Sequence, residues 1–180
     1  SQGVQRVELI RDGHSPQQHV EPAQVAALRR KLGLEGRFVV GVMGSLVLSP
    51  RLGICYGWDL LEALVSLRDL PVTGLVVGDG TGLDWLKARA AALGVADRVV
   101  FTGRIPYDQV PAMLRVMDVA MSTQTNNLPG QVRTTGKLPE YMAAGCFILA
   151  SRVGEAALLL PGTMLVDYEG EVDRAYPPRL

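Results

Sequence analysis

Short apolar runs, several of them closed by glycine, alternate along this chain with stretches of helical period, and few folds accept that rhythm. Phe38 to Met43 reads FVVGVM, too short for a helix and apolar at every position, as a strand buried on both faces requires. A long loop, Gly44 to Gly57, leads to a helix over Trp58 to Leu67, where Leu60, Leu61, Leu64 and Leu67 share a face. The alternation then repeats. Strands are predicted at Leu75–Val77, Val99–Phe101, Val119–Ser122 and Phe147–Ala150, with a sixth at Thr163–Val166. Helices are predicted at Leu83–Leu93, closed by Gly94, at Gln109–Met117, and from Gly136 to Ala144, stopped by Gly145. A polar loop, Thr123 to Thr134, precedes the last of these. A helix over Ala23 to Leu32 comes before the first strand, and residues 1–22, with a short strand at Gln5–Ile10, read as a lead-in segment.

Strands and helices in this order specify right-handed βαβ units. The predicted fold class is α/β: a doubly wound, mostly parallel sheet with helices on both faces, forming a single domain over residues 23–180. Ligands of such sheets bind beyond the carboxyl ends of the strands, so the loops after Met43, Val77, Phe101, Ser122 and Ala150 line the expected site.

Composition narrows the function classes. Eighteen Lys and Arg balance eighteen Asp and Glu, so the broad basic surface of a duplex nucleic-acid binder is absent, and an anionic ligand must be held by a local pocket. Only Cys55 and Cys146 occur, in no ligand spacing, and neither a disulfide framework nor a zinc site is expected. A reduced, cytoplasmic setting fits this usage. No apolar run approaches the roughly 20 residues that cross a bilayer, so no transmembrane segment is expected.

Common motifs fail one by one. Gly136-Lys137 is followed by Leu138, which breaks the phosphate loop of Walker nucleotidases. Gly78-Asp79-Gly80-Thr81-Gly82 approaches a dinucleotide fingerprint, but its third glycine comes one position early and it follows the second strand. No serine stands in a nucleophile elbow. His14 and His19, the only histidines, lie five apart in a turn-rich segment and read as exposed loop residues. Trp58 and Trp85 read as core packing, and Cys146 as a small buried hydrophobe.

The segment from Arg133 to Gly145 carries the chemistry. Thr134-Thr135-Gly136 opens a helix, Pro139 is tolerated in its first turn, and Arg133 and Lys137 bring two cations to the same end. Free N–H groups and two positive charges suit a diphosphate, and Glu140, one turn in, suits the vicinal hydroxyls of a ribose. The opposing reading makes Glu140 ordinary dipole compensation and Lys137 a solvated side chain. Gly80 and Arg104, on neighbouring loops of the same sheet edge, favour the ligand. Asn126, Asn127 and Gln131 stand equally between sugar contacts and turn formers.

Three segments in order, Gly78-Asp79-Gly80, Leu93 to Gly103 (LGVADRVVFTG) and Gly136 to Gly145 (GKLPEYMAAG), resemble the C-terminal half of GT-B glycosyltransferases close to family 4. The resemblance runs from about Asp12 to Val166. It implies the Rossmann-like, donor-binding half of an enzyme that transfers a sugar from a nucleotide diphosphate with retention of configuration. It implies no metal or other cofactor beyond the nucleotide-sugar donor. The partner it implies is an N-terminal acceptor-binding domain, absent here or supplied by a separate chain, through which any peripheral membrane contact would be made. The helix opening makes Arg133 and Lys137 the expected catalytic cations at the departing diphosphate, and on the resemblance Glu140 binds the ribose. On the resemblance Gly44 and Ser45 lie in the loop that approaches the phosphates and donor sugar, and Arg104 and Ile105 in the segment that meets the base; Arg51, Gly80 and the helix-opening residues Thr134, Thr135, Gly136 and Leu138 complete the expected substrate-binding set.

Three departures accompany the likeness. Val132 stands where the family commonly has a first Glu, Ser45 stands in the first loop, and Tyr56 precedes Gly57 where a Lys-Gly pair is typical. Arg51, or Arg133 with Lys137, is expected to compensate. Two alternatives stay open: a nucleotide-sugar epimerase or phosphorylase of the same fold, and a non-catalytic nucleotide-binding or assembly domain.

Overall fold

The structure is a computed structural model that describes Gly13 and residues 19–133 and 135–180. The lead-in strand at Gln5–Ile10, His14 and Thr134 lie outside the described residues. In chain order the main elements are α1 (Pro22–Lys31), β1 (Phe38–Met43), β2 (Leu48–Ser49), β3 (Ile54–Cys55), α2 (Trp58–Ser66), β4 (Val72–Val77) and α3 (Leu83–Ala92). There follow β5 (Val99–Gly103), α4 (Val110–Val116), β6 (Val119–Ser122), α5 (Leu128–Val132), α6 (Lys137–Ala143), β7 (Phe147–Ser151), α7 (Ala156–Leu159) and β8 (Leu165–Val166).

Six strands form one sheet in the order β5-β4-β1-β6-β7-β8, with parallel pairing throughout. Sequence order reverses between β1 and β6, which makes their carboxyl ends the switch point where such sheets open a crevice. Both faces are covered. Buried Leu34, Val39, Leu75, Leu114, Ala120, Tyr141 and Ile148 belong to the core of the face that α1, α4 and α6 cover. Leu60, Leu61 and Leu64 of α2 meet Val42, Val76 and Leu86 in the other core. Each fully buried leucine contributes on the order of 1.5–3 kcal/mol, which is how the helical stripe read from the sequence fixes the face α2 presents.

Among the described residues the predicted elements are present, and three differences have physical causes. The second main strand begins at Val72, not Leu75, because all six of its residues are buried in register with Phe38 to Met43. Thr73 and Gly74 interrupt the apolar run, and pairing with β1 overrides their weak strand preference. The Gly44–Gly57 loop contains the antiparallel hairpin β2–β3, Leu48 opposite Cys55. The Thr123–Thr134 loop contains α5, started by Asn127, whose side-chain oxygen accepts from the Gly130 N–H at 3.0 Å, with Pro129 in the first turn.

Candidate functional site at the switch point

β1 and β6 pair only at Val40 with Val119 and Gly41 with Ala120, then part. Their freed backbone groups need partners, and two tyrosines supply them. The Tyr141 hydroxyl, reaching from α6, accepts from the Met43 N–H at 2.9 Å. The Tyr56 hydroxyl, just before α2, donates to the Met121 carbonyl at 3.3 Å. Burial pushes both phenols above their ordinary range, so they stay protonated donors.

Above this seam lies a cavity of about 570 Å³ whose wall includes Gly44, Tyr56, Asp59, Thr123, Lys137 and Glu140. Lys137 enters from the first residue of α6 and places its Nζ 3.5 Å from the centre of the Tyr56 ring, a cation–π contact. A Cβ on Gly44 would lie 3.2 Å from that Nζ, so glycine leaves the ammonium room beside the first loop. Burial first, and the charge of Arg133 second, lower the Lys137 amine to about 8, against the pull of Asp59 and Glu140.

A second cavity, about 550 Å³, opens over β1 and β4 and is lined by Gly78, Asp79, Gly80, Arg104 and Ile105. Gly44 and Ser45 line both cavities, so the two are adjoining parts of one groove along the carboxyl edge. The first loop is stitched to the second: Gly44 N–H donates to the Val77 carbonyl at 3.0 Å and Leu46 N–H to the Asp79 carbonyl at 3.0 Å. Gly78, at φ 136°, has no space for a Cβ, which would penetrate the Gly44 carbonyl oxygen. The close approach expected of Gly80 is made to the Leu46 backbone.

Most predicted site residues therefore converge. Arg133, Thr135, Gly136, Lys137 and Glu140 line the first cavity, Gly80, Arg104 and Ile105 the second, and Gly44 and Ser45 both. Thr134 is outside the described residues. Arg51 is not brought in: it sits at the tip of the β2–β3 hairpin, exposed, and pairs with Glu171. Leu138 is 2% exposed and its side chain belongs to the core. Asn126, Asn127 and Gln131 are spent on scaffolding: Asn126 Nδ2 donates to the Tyr168 carbonyl, Asn127 caps α5 and holds Glu171, and Gln131 bonds Asn126. Val132 is exposed and outside both cavities. His19 is exposed beside Glu21, and Trp58 is buried, as their sequence settings suggested.

Sequence reasoning missed Asp59, Thr123 and Tyr168. Asp59 is 1% exposed in the first turn of α2, where its side chain accepts from the Thr123 hydroxyl. Burial raises its carboxyl above the usual carboxylate range, opposed by that hydroxyl, by the N–H groups of Asp59 and Leu60, and by Lys137. An acidic residue two places past a glycine at a helix start was the available signal, and it reads as dipole compensation until the fold buries it. Nothing in the sequence marks Tyr168. Among the described residues no group of three or more His, Cys, Asp or Glu could hold a metal ion, and no helix is long and apolar enough to cross a membrane.

The strand order and the cationic groove at the switch point define a Rossmann-like α/β domain, the kind found in GT-B glycosyltransferases. Residues 37–173 match the family model described as glycosyl transferases group 1, and the chain belongs to that family. It is 38% identical over 157 residues to the GDP-mannose-dependent alpha-(1-6)-phosphatidylinositol monomannoside mannosyltransferase of Mycolicibacterium smegmatis, covering 84% of this chain and 38% of that protein. It is 32% identical over 154 residues to the 2-deoxystreptamine glucosyltransferase of Streptomyces kanamyceticus, covering 82% of this chain and 37% of that one. Among solved structures, Anabaena HepE in complex with UDP-glucose superposes with a TM-score of 0.68 at 25% identity, covering 84% of this chain and 41% of HepE. The chain thus spans well under half the length of these relatives.

Proposed function

We propose that this chain is the donor-binding half of a retaining glycosyltransferase that uses a nucleotide-diphosphate sugar. The observation that carries the reading is the Lys137 ammonium, held on the Tyr56 ring inside a half-enclosed groove at the switch point. A diphosphate placed there meets Lys137 and Arg133, Glu140 lines the same cavity, and the groove continues to Gly80, Arg104 and Ile105. Relatives named for GDP-mannose dependence and a neighbour holding UDP-glucose support a nucleotide sugar as the ligand class.

In transfer, the bond from the anomeric carbon to the phosphate oxygen breaks and negative charge grows on the departing diphosphate. Lys137, held on the Tyr56 ring, and the exposed Arg133 beside it stabilise that charge where it develops. They take over the task that the first loop cannot perform, since Ser45 and Tyr56 carry no charge and Arg51 points away. Binding needs no metal in this reading, because the protein supplies the countercharge. The acceptor site belongs to a domain outside this chain, and closure against it excludes water.

Calorimetric titration with UDP, GDP and ADP, each with and without magnesium, tests the proposal. Micromolar binding of one nucleotide without metal, weakened at least about tenfold by Lys137→Ala, is expected. Binding unaffected by Lys137→Ala and Glu140→Ala together would overturn it. The exposed Val132, where a carboxylate is common in the resembled family, favours one alternative: a module that binds the nucleotide without transferring the sugar. Such a module keeps its affinity yet transfers nothing when the acceptor-binding half is supplied.

A further inference from the structure

Lys137 is an unusual phosphate ligand because its surroundings work against its charge. It is desolvated, and Arg133 adds like-charge repulsion. A lysine in such a place tends to arrive neutral, and a neutral amine gives a diphosphate no ionic partner. Something in the wall must hold the proton on, and it must act before the ligand is there.

The groups facing Lys137 can be named element by element. From the approach to α2 comes Tyr56, whose ring faces the ammonium and whose phenol is neutral. From α2 itself comes Asp59. From α6 comes Glu140, one turn on. Arg133 approaches from the end of α5, and Tyr168 lines the wall from the C-terminal segment. Behind Asp59 stands Tyr176, and Arg174 lies over the Trp58 ring at 5.3 Å. Of the two carboxylates, Glu140 faces the groove where a ribose would claim it. Asp59 is enclosed by protein, fixed by the Thr123 hydroxyl, and outside the reach of solvent.

Resting on the proposed function, we infer that Asp59 is a positioning residue: a buried counter-charge in the cavity wall that, while ionised, keeps Lys137 protonated and turned into the groove for a diphosphate. The attraction is through space and is strengthened by the low dielectric of the wall. Tyr56 supplies the surface on which the ammonium rests, and Asp59 supplies the field that keeps it an ammonium. Thr123 holds the carboxylate in its ionised form by donating to it. The arrangement also explains why a carboxylate stands in the first turn of α2 facing inward, where dipole compensation alone would leave it on the exposed side.

The chain contains only three lysines, Lys31, Lys87 and Lys137, so the lysine ε-carbon resonances can be followed individually through a pH titration by NMR, with Lys137→Met assigning the site. In the unsubstituted protein the Lys137 signal is expected to titrate with a midpoint about 8. In Asp59→Asn the midpoint should fall by about one unit or more, while Lys31 and Lys87 do not move. Asp59→Ser, which keeps a polar group in the first turn of α2, should do the same. A midpoint within about 0.3 unit of the unsubstituted value in either folded variant overturns the inference.

A measurement without any substitution decides the case if both variants unfold. The Lys137 signal should carry a second, smaller inflection as Asp59 takes up its proton, above the ordinary carboxylate range. A single smooth step overturns the inference. Excess UDP, GDP and ADP, each in turn, separate the two claims, since a bound diphosphate must raise the Lys137 midpoint. Intact coupling to Asp59 with no response to any of the three refutes the proposed function and leaves the Asp59–Lys137 pairing standing. A response to nucleotide with no coupling does the reverse.

Discussion

Arg98, inside one of the segments that carry the family likeness, is a fold anchor and not a ligand contact, and its replacement should show how much of that segment is structural. Its Nη1 faces the Leu64 carbonyl at 3.3 Å, and its Nη2 faces those of Leu67, Leu70 and Val72 at 2.9, 2.7 and 2.9 Å. These carbonyls belong to the end of α2, the turn after it and the first residue of β4. One guanidinium therefore gathers the whole α2–β4 connection. Two protons on Nη2 serve three carbonyls, so about three net bonds are made. At about 1.5 kcal/mol for each bond to a charged donor, less a discount for water reaching the opened carbonyls, Arg98→Ala should cost about 3 to 4 kcal/mol. That is a large part of the 5–15 kcal/mol typical of a domain's stability. Urea unfolding followed by tryptophan fluorescence reads it as a lower midpoint at unchanged slope. Arg98→Lys should recover little, because an ammonium cannot fork between carbonyls. A loss under about 1 kcal/mol in Arg98→Ala would refute the assignment of those bonds as stabilising.

Further expectations concern the groove. Since Lys137 must be protonated to meet a diphosphate and its amine sits at about 8, affinity for the bound nucleotide should hold below that pH and fall above it. The fall from pH 7 to pH 9 should be about tenfold by calorimetry, and Lys137→Met should flatten the profile. Glu140→Gln should weaken nucleoside diphosphates about tenfold while barely affecting their 2′,3′-dideoxy forms, which lack the hydroxyls it would bind. Gly78→Ala forces a side chain into φ 136° and against the Gly44 carbonyl, so thermal melts should show a loss of about 2 kcal/mol or more. Arg51→Ala should leave nucleotide affinity within about twofold, because Arg51 is turned to Glu171 at the hairpin tip.

Much of this protein was legible in one dimension because its strands and helices announce themselves locally. FVVGVM reads as a central strand, and all but the exposed Phe38 are at least half-buried, while the leucine stripe of Trp58–Ser66 reads as one side of a helix packed on a sheet. Glycines at strand ends and cations beside Glu140 marked the edge where the candidate groove opens. The doubly wound class and the cluster Arg133, Lys137 and Glu140 followed from that. Short polar elements were less legible: the five residues of α5 exist because Asn127 caps them and the neighbouring loops pack on Gly130, neither of which a hydrophobic period reveals.

What the sequence determined by itself was therefore the alternation of elements and the sheet edge at which the candidate groove lies. The tertiary structure alone decided which side chains share the groove. It turned Arg51 outward to Glu171, sank Leu138 into the core, spent Asn126, Asn127 and Gln131 on scaffolding, and brought Asp59, Tyr56 and Tyr168 to Lys137 across long stretches of chain. Local patterns record how each segment meets its own sheet. Whether an acid at a helix start faces water or a lysine depends on where β1 and β6 part, and that is set by the packing of the whole sheet.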